Sequence, residues 1–393
     1  MASNDGTAGL GAVLQTIRRH GPLTRADLGA RTGLGRSTIA QRLDELIERG
    51  LVRPLGEQAS TGGRPAGTFA FDPAGGIVLA ADLGASHADL AVTDLEGRLL
   101  LESAGAIAIG DGPEVVLAHV EQRLDALLAE SGRGAEEVLA VGVDVPGPVA
   151  FATGRPVSPP IMPGWDGYDI AGRLAARFGA RVIVDNDANA MALAEQVEYW
   201  PECDELLYAK VGTGIGCGII SGGRVFRGGQ GAAGEIGHIA VRDHDTPCVC
   251  GNAGCLEAVI GSAALVRRAQ ARGLDVPDPR SFDALVKRHE PVAVAIAREA
   301  GRILGEVLAG LVNALNPTVV VLGGDLAGTE PFGAGVREIV HQRAAPLATQ
   351  HLQIVPSRLG DRAGTRGTAI MALEHALSPR EIDRDQPAAP APA

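Results

Sequence analysis

The stretch from Lys210 to Glu257 constrains this chain more than any other. It joins a glycine-rich turn, a Glu235-x-x-His238 pair, and a Cys248-x-Cys250-x4-Cys255 cluster that runs directly into Glu257. Three thiols with an imidazole shortly before them form the donor set of a closed, tetrahedral zinc site. His238 would be the fourth ligand, and a metal-held imidazole keeps its second nitrogen free to hold a hydroxyl or carboxylate in a fixed direction. One structural zinc per chain, on His238, Cys248, Cys250 and Cys255, would thereby shape a ligand pocket. The alternative is ordinary reduced thiols, but only five cysteines occur in 393 residues and three of them fall here. Disulfides fit less well, because Cys248 and Cys250 are too close to pair easily and no secretory leader is expected. Cys203 and Cys217 read as small apolar core residues.

With 46% apolar and 21% charged residues the chain can bury substantial cores. Its apolar runs, such as Ile77 to Ala81 and Val319 to Leu322, are far shorter than a membrane span. A cytoplasmic protein without a membrane partner is expected. Charge is uneven: residues 10 to 67 carry nine arginines against five acids, whereas the whole chain has a net charge of −12. A basic module is thus attached to an acidic body.

In the basic part, Leu10, Val13, Leu14 and Ile17 have helical spacing, and Gly21-Pro22 ends it. Thr24 with Asp27 predicts a capping box opening a second helix, and Thr32-Gly33-Leu34-Gly35 a turn. Ile39, Leu43, Leu46 and Ile47 predict a third helix that leaves Arg36, Ser37, Thr38, Gln41 and Arg42 near its exposed start. Leu51 to Arg53 and Thr68 to Phe71 then pair as strands around a loop tipped by Arg64. This is a winged helix-turn-helix, with the third helix offered to the major groove and Arg64 to the backbone or minor groove. A bare protein-interaction module is the other use of such a unit; the basic balance favours DNA.

From Gly75 strands alternate with helices. Ile77 to Ala81 leads into Asp82-Leu-Gly84-Ala-Ser86, and Asp89 to Thr93 returns, a hairpin whose turn could cradle phosphate. Val115 to Leu128 is an amphipathic helix, Val138 to Val145 a buried strand, and Pro159 to Asp169, with Trp165, a loop over a pocket. Val182 to Asp185 delivers Asn186, Asp187 and Asn189 to a strand end, where ligand-handling residues collect in α/β sheets. Asp187 could take a proton from a hydroxyl; an Asx cap for the next helix is the plainer use of the segment. Gly212-Thr213-Gly214 joins two strands in a turn able to bring N–H groups to phosphate, and a last core strand ends in Gly323-Gly324.

These residues together resemble the ROK family of repressors and sugar kinases, in its transcriptional-regulator branch with an N-terminal winged helix. The resemblance runs from about Leu10 to His375. It rests on Ser60-Thr-Gly-Gly-Arg-Pro65, Pro146-Gly-Pro148, Asp185-Asn-Asp-Ala-Asn189, Gly212-Thr-Gly-Ile-Gly216, Gly234-Glu-Ile-Gly-His238 and Cys248-x-Cys-Gly-x-x-Gly-Cys-Leu-Glu257, in family order. It implies an α/β chain with a winged helix-turn-helix over 1–72 and an actin-like domain of two RNase-H-like lobes over 75–378, and the Pro/Ala repeats at the end of the chain predict a disordered tail over 379–393. By the same resemblance Asn186, Asp187, Glu235, His238 and Glu257 match the sugar contacts, with Asp187 the catalytic base in kinases. Nucleotide, where used, would meet Asp82, Gly84, Ser86, Gly212, Thr213, Gly214, Gly323 and Gly324. Where the kinases resemble Asp-x-Gly-Gly-Thr-Lys, this chain has Asp82-Leu-Gly-Ala-Ser-His87, without the second glycine and the fixed positive charge. The expectation is a regulator, a homodimer or dimer of dimers, that binds operator DNA and a sugar or sugar phosphate. The other reading is a hexose or N-acetylhexosamine kinase using Mg-ATP, with a bifunctional protein between them.

Overall fold

The computed structural model describes residues 9–57, 67–324 and 326–384. The first helix, α1 (Leu10–His20), buries Leu10, Val13, Leu14 and Ile17 completely, as their spacing requires. A two-residue strand, β1 (Leu23–Thr24), precedes α2 (Arg25–Thr32), where Thr24 and Asp27 form the reciprocal capping box and Gly33 closes the helix in the left-handed region. Helix α3 (Arg36–Glu48) buries Ile39, Leu43 and Leu46. Strands β2 (Val52–Glu57) and β3 (Gly67–Phe71) pair antiparallel, and β1 adds to β3. The winged-helix expectation holds in this order of elements, while the loop carrying Arg64 lies outside the described residues.

The body begins with β4 (Ile77–Leu83), β5 (His87–Asp94) and β6 (Leu99–Ala106), then α4 (Pro113–Ser131) and β7 (Val138–Val145). A small hairpin, β8 (Val149–Ala150) with β9 (Arg155–Pro156), leads to α5 (Ile170–Phe178), β10 (Arg181–Asn186) and α6 (Asp187–Tyr199). The second half repeats the plan with β11 (Leu206–Val211), β12 (Ile215–Ser221) and β13 (Arg224–Val225). Helices α7 (Leu256–Ile260), α8 (Ser262–Ala271), α9 (Pro279–Lys287) and α10 (Pro291–Leu315) follow, then β14 (Val319–Gly323), α11 (Glu330–Arg343), α12 (Pro346–Thr349) and β15 (Gln353–Pro356). Last come α13 (Ala363–Ala376) and α14 (Pro379–Arg384).

Among the described residues the two halves carry five-stranded sheets of the same design, ordered β6-β5-β4-β7-β10 and β13-β12-β11-β14-β15. In each, an antiparallel meander of three strands continues into two parallel ones. These are the two RNase-H-like lobes of an actin-like fold. Their terminal helices cross between them: α6, from the first half, packs on β11 and β12, and α13, from the second, on β4 and β7. The crossing is tight, since a Cβ on Gly367 would stand 1.8 Å from the Ala190 carbonyl. That contact puts the ends of β4, β7, β10 and β11 around one cleft.

Two expectations change. Residues 379–384 are not disordered: α14 buries Glu381 and Ile382, and Asp383 accepts a hydrogen bond from Gly11 N–H at 2.8 Å. Composition misled because Pro379 suits a first helical turn and one isoleucine suffices to dock so short a helix. Cys203 is only half-buried, near the Thr318 hydroxyl, whereas Cys217 is buried as expected. The loop over residues 159–169 does lie over a pocket, whose lining includes Pro160 and Ile161, and its anchor is Trp165. That side chain is fully buried in the first lobe, its indole N–H bonded to the Ile109 carbonyl at 3.0 Å.

Candidate functional site

Asn186 and Asp187 arrive at the pocket because β10 runs parallel to β7 and ends where α6 begins. Asn186 is the Asx cap after all, its Oδ1 accepting from Ala188 N–H at 2.9 Å, yet it also lines a cavity of about 50 Å³. Asp187, 3% exposed, sits at the first position of α6, and the helix N-terminus favours its negative charge. Glu235 and His238 flank a short 3-10 turn over Ile236–His238. Glu257 is in the first turn of α7 and accepts from Ile215 N–H at 3.0 Å. The cavity lining thus gathers all five residues expected to contact sugar. Burial, with Asp187 and Glu257 close by, pushes the Glu235 carboxyl up to about 7.

Behind that pocket His238 Nδ1 lies 3.7 Å from Cys248 Sγ, and Cys250 Sγ lies 3.7 Å from Cys255 Sγ. All four donor atoms fall within 4.8 Å of one another. Sulfurs about 2.3 Å from a tetrahedral ion stand about 3.8 Å apart, so donor type and spacing both fit a metal ion. Nδ1 faces the thiols while His238 also lines the cavity, which leaves Nε2 for the pocket.

One side chain that nothing in the sequence singles out changes the chemistry. Lys210, from β11 in the second lobe, donates its ammonium to Asp187 Oδ2. Burial alone would lower the Lys210 ammonium, yet Asp187, Asp82 and Asp144 outweigh it and hold it above its ordinary value. Asp185, next to the base position, is held by Arg227 Nε at 2.7 Å and Asn189 Nδ2 at 2.9 Å. Alternation along β11 could have pointed Lys210 inward, but nothing local could have named its partner.

Lys210, Gly214, Pro146 and Ile161 also line a second, larger cleft of about 660 Å³. Asp82, Ser86, Gly212, Thr213 and Gly324 lie on its wall. Gly84 and Gly323 do not: the His87 ring covers the first and the Tyr208 hydroxyl the second, each within 2.1 Å of where a Cβ would be. Asp144 lies beside Asp82 behind this wall, and burial raises both carboxyls above the ordinary range, Asp144 the more.

On the winged helix, Arg36, Ser37 and Gln41 are exposed and Thr38 is half-buried. Arg42 is less available, paired with Glu45 at 3.5 Å. The basic face is braced from behind by Arg25 over the Phe69 ring at 4.6 Å and Arg18 over Phe71 at 5.4 Å.

A model of the ROK family matches residues 78–375, and one of the MarR family matches residues 11–64. The chain is similar to the xylose repressor of Caldicellulosiruptor bescii, 28% identical, over 93% of this chain and 95% of that one. Among solved structures it resembles a ROK family transcriptional regulator, a homolog of the E. coli MLC protein, with a TM-score of 0.82, 26% identity and coverage of 96% and 98%. A ROK family glucokinase from Streptomyces griseus, in complex with glucose and AMPPNP, aligns with a TM-score of 0.65 and 28% identity. It covers 76% of this chain and 99% of its own.

Proposed function

The chain belongs to the ROK family, and from that premise we propose that it is a DNA-binding transcriptional regulator whose ROK body senses a sugar. The observation that carries this reading is the MarR-type winged helix, with its α3 start exposed, fused to a body that gathers five polar side chains of a kind suited to hydroxyls in one pocket. The repressor likenesses extend over nearly the whole chain, while the glucokinase likeness stops at the body. Among the described residues no helix is long and apolar enough to cross a membrane.

In this reading Asn186, Asp187, Glu235 and Glu257 take sugar hydroxyls, and His238 takes one through the nitrogen facing the pocket. Zinc on His238, Cys248, Cys250 and Cys255 fixes that imidazole; it supplies rigidity and no chemistry. A wrong epimer is rejected because it leaves buried carboxylates unpaired. Ser37, Thr38 and Gln41 read bases, Arg36, Arg42 and Arg64 hold backbone, and a homodimer spans half-sites about one helical turn apart or a multiple of that. Sugar kinase activity is disfavoured on a specific ground. A base must accept a proton, and Asp187 is occupied by the Lys210 ammonium, while His87 stands over the turn that would meet phosphate.

Footprinting of the chain's own upstream region, with and without a panel of sugars and sugar phosphates, tests the proposal. A protected pseudo-palindrome released by one sugar is expected. Absence of protection at low salt, where phosphate contacts are strongest, would overturn it.

A further inference from the structure

The first sheet carries a row of carboxylates at one level. Strand register sets Asp89 opposite Asp82, Asp82 beside Asp144, and Asp144 beside Asp185. Like charges directly opposite one another repel, so each member of such a row needs a partner. Asp185 has Arg227 and Asn189; Asp144 has the Thr368 hydroxyl and Leu83 N–H. The Asp82–Asp89 pair is different. Asp82 is 1% exposed, lines the larger cleft, and its Oδ2 has no hydrogen-bond partner among the described residues.

What stands next to that pair is an imidazole. His87 lies two residues before Asp89 on β5, so both project from the same face, and its Nε2 is 3.9 Å from Asp82 Oδ1. One donor atom from each of Asp82, His87 and Asp89 falls within 4.8 Å of the others. Ligands about 2.0–2.2 Å from a common ion are about 3–4 Å apart, so small torsions of the half-exposed His87 and Asp89 close the set.

We propose that the cleft binds a divalent transition-metal ion between Asp82, His87 and Asp89, with water completing its shell. The imidazole selects for cobalt, nickel or zinc over magnesium, and the oxygen ligands separate the site from the thiolate-rich one in the other lobe. The ion adds positive charge beside a pair that the Lys210 ammonium, held on Asp187, offsets only in part, and solvent reaches it along the exposed edge of His87. The site stands on the first lobe's geometry and does not depend on the regulatory reading.

The test is a titration of the full-length protein, its cysteine site first loaded with zinc, with Co2+, Ni2+ and Mg2+ followed by calorimetry and absorbance. The expected result is one further equivalent of Co2+ or Ni2+ per chain, Ni2+ the tighter, with no thiolate-to-cobalt charge-transfer band and no heat from Mg2+. His87→Ala and Asp89→Asn should each weaken that binding at least about tenfold while their unfolding temperatures without metal match the parent. Asp361→Asn, on the same cleft wall but outside the triad, should bind as the parent does. No further equivalent, a charge-transfer band accompanying it, or undiminished binding by both triad variants overturns the proposal.

Discussion

Asp187 and Lys210 come from different lobes and meet as an ion pair at the smaller cavity, and Lys210 lines the larger cleft as well. The pair leaves Asp187 a fixed acceptor for a sugar hydroxyl rather than a poised base. With Mg-ATP and a panel of hexoses and N-acetylhexosamines, a coupled ADP-release assay should therefore find turnover below about one per second, the low end for enzymes. Asp187→Asn should weaken sugar binding by roughly ten- to a hundredfold, the cost of losing a hydrogen bond to a charged acceptor; thermal shift with the released sugar reads it. Asp144 makes a separate prediction about stability. Its folded carboxyl is raised well above the ordinary value by burial, then by Asp82 and Asp187. The folded state thus keeps a proton that the unfolded state gives up, so its contribution is full below the ordinary carboxylate range and is lost as pH rises through the raised value. Asp144→Asn keeps an oxygen for only one of the Leu83 N–H and the Thr368 hydroxyl and so lowers stability throughout, but without a titrating carboxyl it should flatten the fall of unfolding temperature with rising pH.

Single elements decide which surfaces act. Helix α3 begins at Gly35 with no side-chain cap, and its first turn carries no acidic residue. Arg36→Ala should weaken DNA binding across all sequences, whereas Gln41→Ala should relax preference at one base pair by about 1–3 kcal/mol, both read by competition with mutated operators. The loop from His238 to Cys255 is closed on itself by few backbone bonds, among them Val241 N–H to Gly254 O at 2.7 Å, and is joined to α7 by Leu256 N–H to Ile239 O at 2.9 Å. Cys250→Ser should accordingly lose bound zinc, measured by elemental analysis, and the sugar response with it. Helix α14 ties the DNA-binding unit to the body. Arg49 donates to the Ile382 carbonyl at 3.2 Å, Arg181 of β10 to the Glu381 carbonyl at 3.1 Å, and Gly11 packs where a Cβ would be 2.4 Å from Pro379 Cα. Ile382→Ala should cost about 2–5 kcal/mol, seen as a lower unfolding temperature.

At the scale of the whole molecule, one apolar cluster runs from Leu14 and Ile39 of the winged helix through Val78, Ala140 and Ile183 of the first sheet to Met371 and Ile382 at the end of the chain. The unit that meets DNA is therefore packed on the lobe that carries Asn186 and Asp187. What the sequence determined by itself was everything with a local cause. Helical spacing at Leu10 to Ile17, the Thr24–Asp27 box, the Gly212 turn and the thiol spacing each act within a few residues, and each is found as read. In the sequence a cap and a pocket contact are alternative uses of the segment around Asn186, yet the Asn186 side chain serves both, because a cap is local and a cavity is not. Only the tertiary structure could decide the rest: Lys210 on Asp187 across 23 residues, Asp89 against Asp82 by strand register, and Asp383 on Gly11 across 372. These depend on which strands pair and how two helices cross between lobes, and loop closure over such distances leaves no periodic trace in the chain.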